Sequence, residues 1–304
     1  MSSEYSTEEE YERPKRMRTA LENTPSPLPL WRLFREALLN GGACRDIVEK
    51  HVMCKLNGTD LKFFYEVNTE TRKLIKRSSR AGELKKKFQI EEMSSISTLE
   101  VAWEHKSLWP SYWYETSFCH KLAHTNKLEL LKWAREEKKC KWDEGPIKAA
   151  AEHGNMEMVN YCAANGCPID AFACAYAAEN GHLEILKYLR AEGKAPWDWE
   201  TAASAAENGH LHILEYLVER KYDKYDVDAC LYAAMKGHLD CLKYLRETAK
   251  APWSSEAVRV AHEYEDTECV QYCLDNNCPL PLEWRYEGGT LYDEFYQSVG
   301  LTEQ

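Results

Sequence analysis

No glycine-rich phosphate loop of the Walker or dinucleotide type occurs in the 304 residues, and neither Gly-x-Ser-x-Gly nor His-Glu-x-x-His is present. The motifs that announce nucleotide binding, acyl transfer or zinc hydrolysis are therefore missing. The twelve cysteines contain no Cys-x-x-Cys pair, so the spacing of a zinc ribbon is missing as well. No apolar run approaches the roughly 18 residues of a membrane span, and no apolar segment follows the N-terminus as in a secretory signal. A basic excess is lacking too: 39 Lys and Arg face 50 Asp and Glu, a formal net charge of -11. Wrapping a nucleic-acid backbone needs cations to displace counterions, so nucleic acid is not an expected partner. These absences predict a non-enzymatic protein of the cytoplasm or nucleus, with no cofactor, no metal and no membrane partner.

What is present is a repeat. Ala177–Leu189 (AAENGHLEILKYL), Ala205–Leu217 (AAENGHLHILEYL) and Ala233–Leu245 (AAMKGHLDCLKYL) are near copies. Blurred copies lie at Leu122–Ala134, Ala150–Cys162 and Val260–Cys273. The turn position falls at Asn126, Gly154, Gly181, Gly209, Gly237 and Glu265, a step of 27 or 28 residues each time. A fixed period of this size marks a stacked array in which each unit buries its apolar face against its neighbours. Within a unit, Trp199–Asn208 is Ala-rich and predicts a short first helix, which Gly209 ends by taking the left-handed conformation. Leu211, Leu214, Leu217 and Val218 then fall at helical spacing and predict an amphipathic second helix. Ala195-Pro196-Trp197-Asp198 and Ala251-Pro252-Trp253-Ser254 return the chain, proline preventing the helix from continuing.

The pattern Ala-Ala-x-x-Gly-His-x-Glu-x-x-Lys-x-Leu resembles the helix–turn–helix portion of the ankyrin repeat, over roughly Cys119 to Pro281. Ankyrin units run about 33 residues and carry Thr-Pro-Leu-His after a protruding hairpin. That tetrapeptide never occurs here and the connection from Gly193 to Ala205 is short. The resemblance is thus to a shortened variant, and it implies an all-α, ankyrin-like helical solenoid that binds a partner protein.

Ten of the cysteines fall in columns that other units fill with small or aliphatic residues. Cys119, Cys174 and Cys230 share one column with Ile147, Ala202 and Ala257, and Cys162 and Cys273 share another with Leu189, Leu217 and Leu245. Cys241 and Cys269 align with Leu130, Met158, Ile185 and Ile213, while Cys140, Cys167 and Cys278 align with Ala195 and Ala251. Reduced thiols filling a core are the reading, and they point to a reducing compartment. His182, His210 and His238 each open a second helix just after glycine and are read as caps or turn packing. Trp133, Tyr161, Tyr188, Tyr216, Tyr244 and Tyr272 read as a stacking spine between units.

Four segments are expected. Residues 1–27 hold almost no aliphatic side chains and predict a disordered tail, with Lys15-Arg16-Met17-Arg18 similar to a short nuclear import signal. Residues 28–93 predict a helical domain, with an amphipathic helix over Trp31–Asn40, a helix ending in Leu56, a turn at Asn57-Gly58 and Thr59 as N-cap to the helix of Leu61 and Val67. That order, followed by Arg72-Lys73-Leu74-Ile75, resembles a degenerate F-box. The resemblance implies a ubiquitin-ligase adaptor as partner, held by Leu56, Leu61 and Val67, with the array as substrate receptor. A helical cap over the first repeat is the other reading. Residues 94–281 predict the solenoid, Ile96–Trp113 forming an eroded first unit, and residues 282–304 a C-terminal cap or tail.

In ankyrin-like stacks the first helices and turns line the concave side, so the resemblance places the partner there. One first-helix column is read as Lys121, Ala149, Tyr176, Ser204, Tyr232 and Arg259, with no common chemistry. Tyr176, Tyr232 and Arg259, together with Trp199 and Tyr225 in the adjoining turns, are the candidate contacts, since aromatic residues and arginine dominate binding hot spots.

Overall fold

The computed structural model describes residues 53–292, apart from 68, 94, 112 and 113, together with 298 and 299. The expected tail of residues 1–27, the helix over Trp31–Asn40 and the basic run Lys15–Arg18 lie outside the described residues. The described chain divides after Trp113 into two compact units.

The N-terminal unit contains α1 (Gly58–Val67), α2 (Thr69–Arg77) and α3 (Ile96–Glu104), with short helical turns between them. Met53, Leu61, Tyr65, Leu74 and Ile75 form its core, and Leu56, Phe64 and Leu84 pack against that cluster. Asn57 Oδ1 accepts from the Asp60 amide at 2.7 Å and so caps α1. Thr59, expected as the cap, instead gives its amide and hydroxyl to Glu92 Oε2 at 2.9 and 3.0 Å. α3 packs on α1. Ile96–Trp113 therefore belongs with this unit, and the boundary expected at residue 93 falls after Trp113.

The second unit is six helix pairs. They are α4 (Glu115–His124) with α5 (Leu128–Glu136), α6 (Gly145–Glu152) with α7 (Met156–Ala164), and α8 (Ala171–Glu179) with α9 (Leu183–Ala191). Then follow α10 (Trp199–Glu207) with α11 (Leu211–Glu219), α12 (Val227–Met235) with α13 (Leu239–Tyr244), and α14 (Ser255–Glu263) with α15 (Thr267–Asp275). The architecture is an all-α solenoid, as the periodicity predicts. Each of α8, α10, α12 and α14 starts at a polar cap: Asp170, Asp198, Asp226 and Ser254 accept the amides of Ala173, Glu200, Asp228 and Glu256. First helices pack directly on first helices along the whole array. A buried line of Leu122, Ala150, Ala177, Ala205, Ala233 and Ala261 lets them approach closely.

Successive repeats are joined at the turn. Gly154, Gly181 and Gly209 have φ of +70°, +74° and +71°. Each also faces an imidazole of the next repeat: a Cβ at Gly181 would stand 2.9 Å from His210 Cε1. The same imidazoles reach back to the preceding first helix, His182 Nε2 lying 3.1 Å from the Glu152 carbonyl and His210 Nε2 3.0 Å from that of Glu179. These histidines occupy N-cap positions without capping their own helices. They clip repeat to repeat.

The second helices end in two ways. The amides of Cys167, Tyr222 and Cys278 close onto carbonyls five residues back, at Cys162, Leu217 and Cys273. Those of Cys140, Ala195 and Ala251 close onto carbonyls six residues back, at Ala134, Leu189 and Leu245. The ends with one residue more belong to the first, third and fifth repeats. There Arg135, Arg190 and Arg246 lie over the rings of Trp142, Trp197 and Trp253, at 4.0, 4.0 and 4.2 Å from the centroids. Each guanidinium also donates to the carbonyl of Cys140, Ala195 or Ala251. The alternate repeats carry Ala163, Val218 and Leu274 in the arginine's place.

All ten array cysteines are buried. Burial pushes the thiols of Cys174, Cys230 and Cys269 up to about 12 and that of Cys241 up to about 11. They stay protonated and pack as small apolar groups. The fixed step corrects one assignment, since Val258, not Ala257, shares the helical position of Ala202 and Cys230. The aromatic column is not a ring-on-ring stack. Tyr161 and Tyr272 meet Trp142 and Trp253 edge-on at 6.1 and 6.2 Å, and their hydroxyls donate to Glu136 and Glu247.

Beyond the sixth repeat, β1 (Arg285–Glu287) and β2 (Thr290–Tyr292) form a hairpin around Gly288-Gly289, and β3 (Ser298–Val299) pairs with β2. Both glycines have positive φ, +58° and +81°, as a two-residue hairpin turn requires. Trp284 sets its ring 5.1 Å from that of His262 on α14, which places the hairpin's approach against the last repeat.

Candidate partner-binding face

Four positions recur on each first helix as one set: nine, six, five and two residues before the turn. In α8 they are Phe172, Ala175, Tyr176 and Glu179; in α10, Glu200, Ala203, Ser204 and Glu207; in α12, Asp228, Leu231, Tyr232 and Met235. The spacing places each set on one helix face. Tyr176, Ser204 and Tyr232 are thus equivalent residues of neighbouring repeats, and all three are half-buried. Ala175 and Ala203 beside them are buried, leaving a low floor between two rings.

Large apolar side chains gather at the start of the same helices. Phe172, Trp199 and Val227 are 45%, 40% and 38% exposed. Leaving three such groups partly in water on consecutive repeats forgoes burial of the order of 1 kcal/mol each. Neither Phe172 nor Val227 is singled out by the repeat pattern: the position of Phe172 is otherwise Ser, Gly, Glu or Asp, and that of Val227 is Thr, Glu, Ala, Trp or Ser. Their signal in the sequence is a large apolar residue where the unit's own periodicity expects solvent.

The electrostatics of the face are one-sided. α8, α10 and α12 contain no Lys or Arg. Burial raises the Glu179 carboxyl above its ordinary value, and the carboxylates of Glu152 and Glu207 on the flanking repeats raise it further. The Tyr232 hydroxyl is raised by burial and then by Asp228, Glu207, Asp226 and Glu200. Lys236 approaches Glu207 from the turn at 3.7 Å.

Of the expected contact residues, Tyr176 and Tyr232 lie on this face, and Trp199, ten residues before its turn, stands at its margin. Tyr225 does not: its ring packs edge-on against Tyr222 at 4.7 Å, with its hydroxyl buried. Arg259 is out of register with Tyr232, because the 28-residue step lands on Val260, which is buried; it stands instead six residues before its turn, the position of Ala203 and Leu231. Arg259 is tied to Glu256 at 2.5 Å and to Glu263 at 3.0 Å on its own helix. In the N-terminal unit Leu61 is fully buried and Leu56 packs on the same core, while Val67 ends α1. Among the described residues no group of three or more His, Cys, Asp or Glu side chains is arranged to hold a metal, and no helix is long and apolar enough to cross a membrane.

Residues 175–256 match the family model described as ankyrin repeats (3 copies), and residues 147–190 match that described as ankyrin repeats (many copies). The matched span runs from α6 to the first turn of α14. No curated protein matches the chain. Ankyrin repeats are thus detected over residues 147–256, and such repeats indicate a protein–protein interaction module.

Proposed function

We propose that the chain is a non-catalytic binding module that docks a partner protein on the first-helix face of its third to fifth repeats. The observation that carries this reading is the pair Tyr176 and Tyr232, half-buried at equivalent positions of helices without a cation, with Trp199 40% exposed beside them. Alanine-lined first helices lie closer together than second helices, which favours this face as the concave one. Rings with two side-chain torsions supply contact area at low entropic cost, as in binding hot spots. Replacing Tyr176 and Tyr232 together by Ala is expected to cost a native partner about 2 kcal/mol, roughly thirtyfold in affinity. The urea midpoint should move little. Unchanged capture of native partners together with a large loss of stability would assign the pair to the core.

The ubiquitin-ligase adaptor reading rests on the order of Leu56, Leu61 and Val67 in the sequence. Because Leu61 is buried, Leu61→Asp reports folding of the N-terminal unit. Leu56→Asp with an adaptor pulldown is the test of capture: the reading requires an adaptor bound by the native chain and lost in this variant.

A further inference from the structure

The chemistry of the face narrows the partner. Its floor is small (Ala175, Ala203, Ser204), its walls are the rings of Tyr176 and Tyr232, and its apolar margin is Phe172, Trp199 and Val227. Glu179, Glu200, Glu207 and Asp228 surround it, and the three helices that build it hold no cation. The basic residues at its two ends are already engaged: Lys148 with Glu144 and Asp170 at 3.2 and 3.0 Å, and Arg259 with Glu256 and Glu263.

We propose that this face docks a basic segment of a partner protein, setting arginine or lysine side chains against Tyr176 and Tyr232, with apolar neighbours against Phe172, Trp199 and Val227. The inference rests on the docking face proposed above and names the class of its occupant. A guanidinium or ammonium group over either phenol ring gains a cation–π attraction. It also supplies a counter-charge to Asp228 and to Glu207, which Lys236 approaches at 3.7 Å. The carboxylates of Glu179 and Glu200 stand raised for the same reason, burial among like charges. An acidic segment would add to that repulsion, and a second copy of this chain brings its own net charge of -11.

The test uses the full chain and two fluorescent peptides of equal length, one of Arg, Leu and Ala, the other with Glu for every Arg. Fluorescence anisotropy should show the Arg peptide binding at least about tenfold more tightly than the Glu peptide, and weakening as salt is raised. Glu179→Gln, Glu207→Gln and Asp228→Asn combined should cost the Arg peptide about tenfold or more, and Tyr176→Ala with Tyr232→Ala a similar factor. Circular dichroism of both variants checks that the fold persists. Equal binding of the two peptides overturns the proposal, as does binding of the Arg peptide that ignores the acidic variant. If the tyrosine pair still weakens capture of native partners while the Arg peptide fails, the basic class falls and the docking face stands. A tenfold gain in peptide affinity on replacing Lys15, Arg16 and Arg18 by Ser would make the chain's own N-terminal run the occupant and overturn the partner reading.

Discussion

The two sides of a repeat use aromatic rings to opposite ends. At the second-helix end Trp197 lies under Arg190, whose guanidinium also bonds the Ala195 carbonyl. On the first-helix side Tyr176 and Tyr232 stand half in water, on helices without a single cation. One ring has its cation inside the molecule and is part of the fold; the others have carboxylates around them and are open to a cation from outside. On the reading proposed above, what separates a structural aromatic from a binding one is whether the chain supplies the ring's complement.

The largest expected break in that contrast comes from Trp197→Ala. It removes the ring beneath Arg190 and its edge contact with Tyr222 at 5.3 Å. A loss of about 3 kcal/mol is expected by urea denaturation. The counterpart Ile169→Ala, in a repeat without the arginine, should cost about 1 kcal/mol. Equal losses would show that the Arg–Trp ends contribute nothing beyond apolar area.

Arg190→Ala should follow at about 2 kcal/mol, combining a cation–π contact with a charged hydrogen bond. Arg190→Lys should recover little, because a lysine cannot lie flat on the indole and reach the carbonyl together. A double-mutant cycle with Trp197→Ala should return a coupling of about 1 kcal/mol. Independent effects would separate the arginine from the ring.

Glu179→Gln gives the smallest stability change, and its sign sharpens the comparison. The folded-state carboxyl lies above its ordinary value of 4.5. Folding therefore favours the protonated form, a contribution present at low pH and lost as pH rises through the raised value. Thermal scans should show Glu179→Gln slightly more stable than the native chain at neutral pH, the difference vanishing below the ordinary carboxylate range. Destabilisation at neutral pH would mean that the carboxylate has a partner in the fold.

The buried columns were the legible part of this molecule. Positions such as Ala205 and Leu217 face the same neighbours in every repeat, so the same residue type recurs and the period announces both the helices and the cysteines that substitute for them. The Arg–Trp ends escaped, because they occur in every second repeat and the extra residue shifts their phase. The slip that put Arg259 beside Tyr232 has the same origin, a step of 27 applied where the chain takes 28. On the first-helix face, Phe172 and Glu200 occupy one position with opposite chemistry, so no column marks it. A surface that must fit one partner has no reason to repeat.

Arg135, Arg190 and Arg246 are spaced by 55 and 56 residues, positions 135 to 190 and 190 to 246. The unit that can be copied without disturbing its neighbours is therefore two repeats long. Duplicating or excising a single helix pair would bring two six-residue closures, or two five-residue closures, side by side and put every later Arg–Trp end out of step. Lineages that lengthen or shorten this array should do so in pairs of repeats, and an engineer who wants a longer one should graft them the same way.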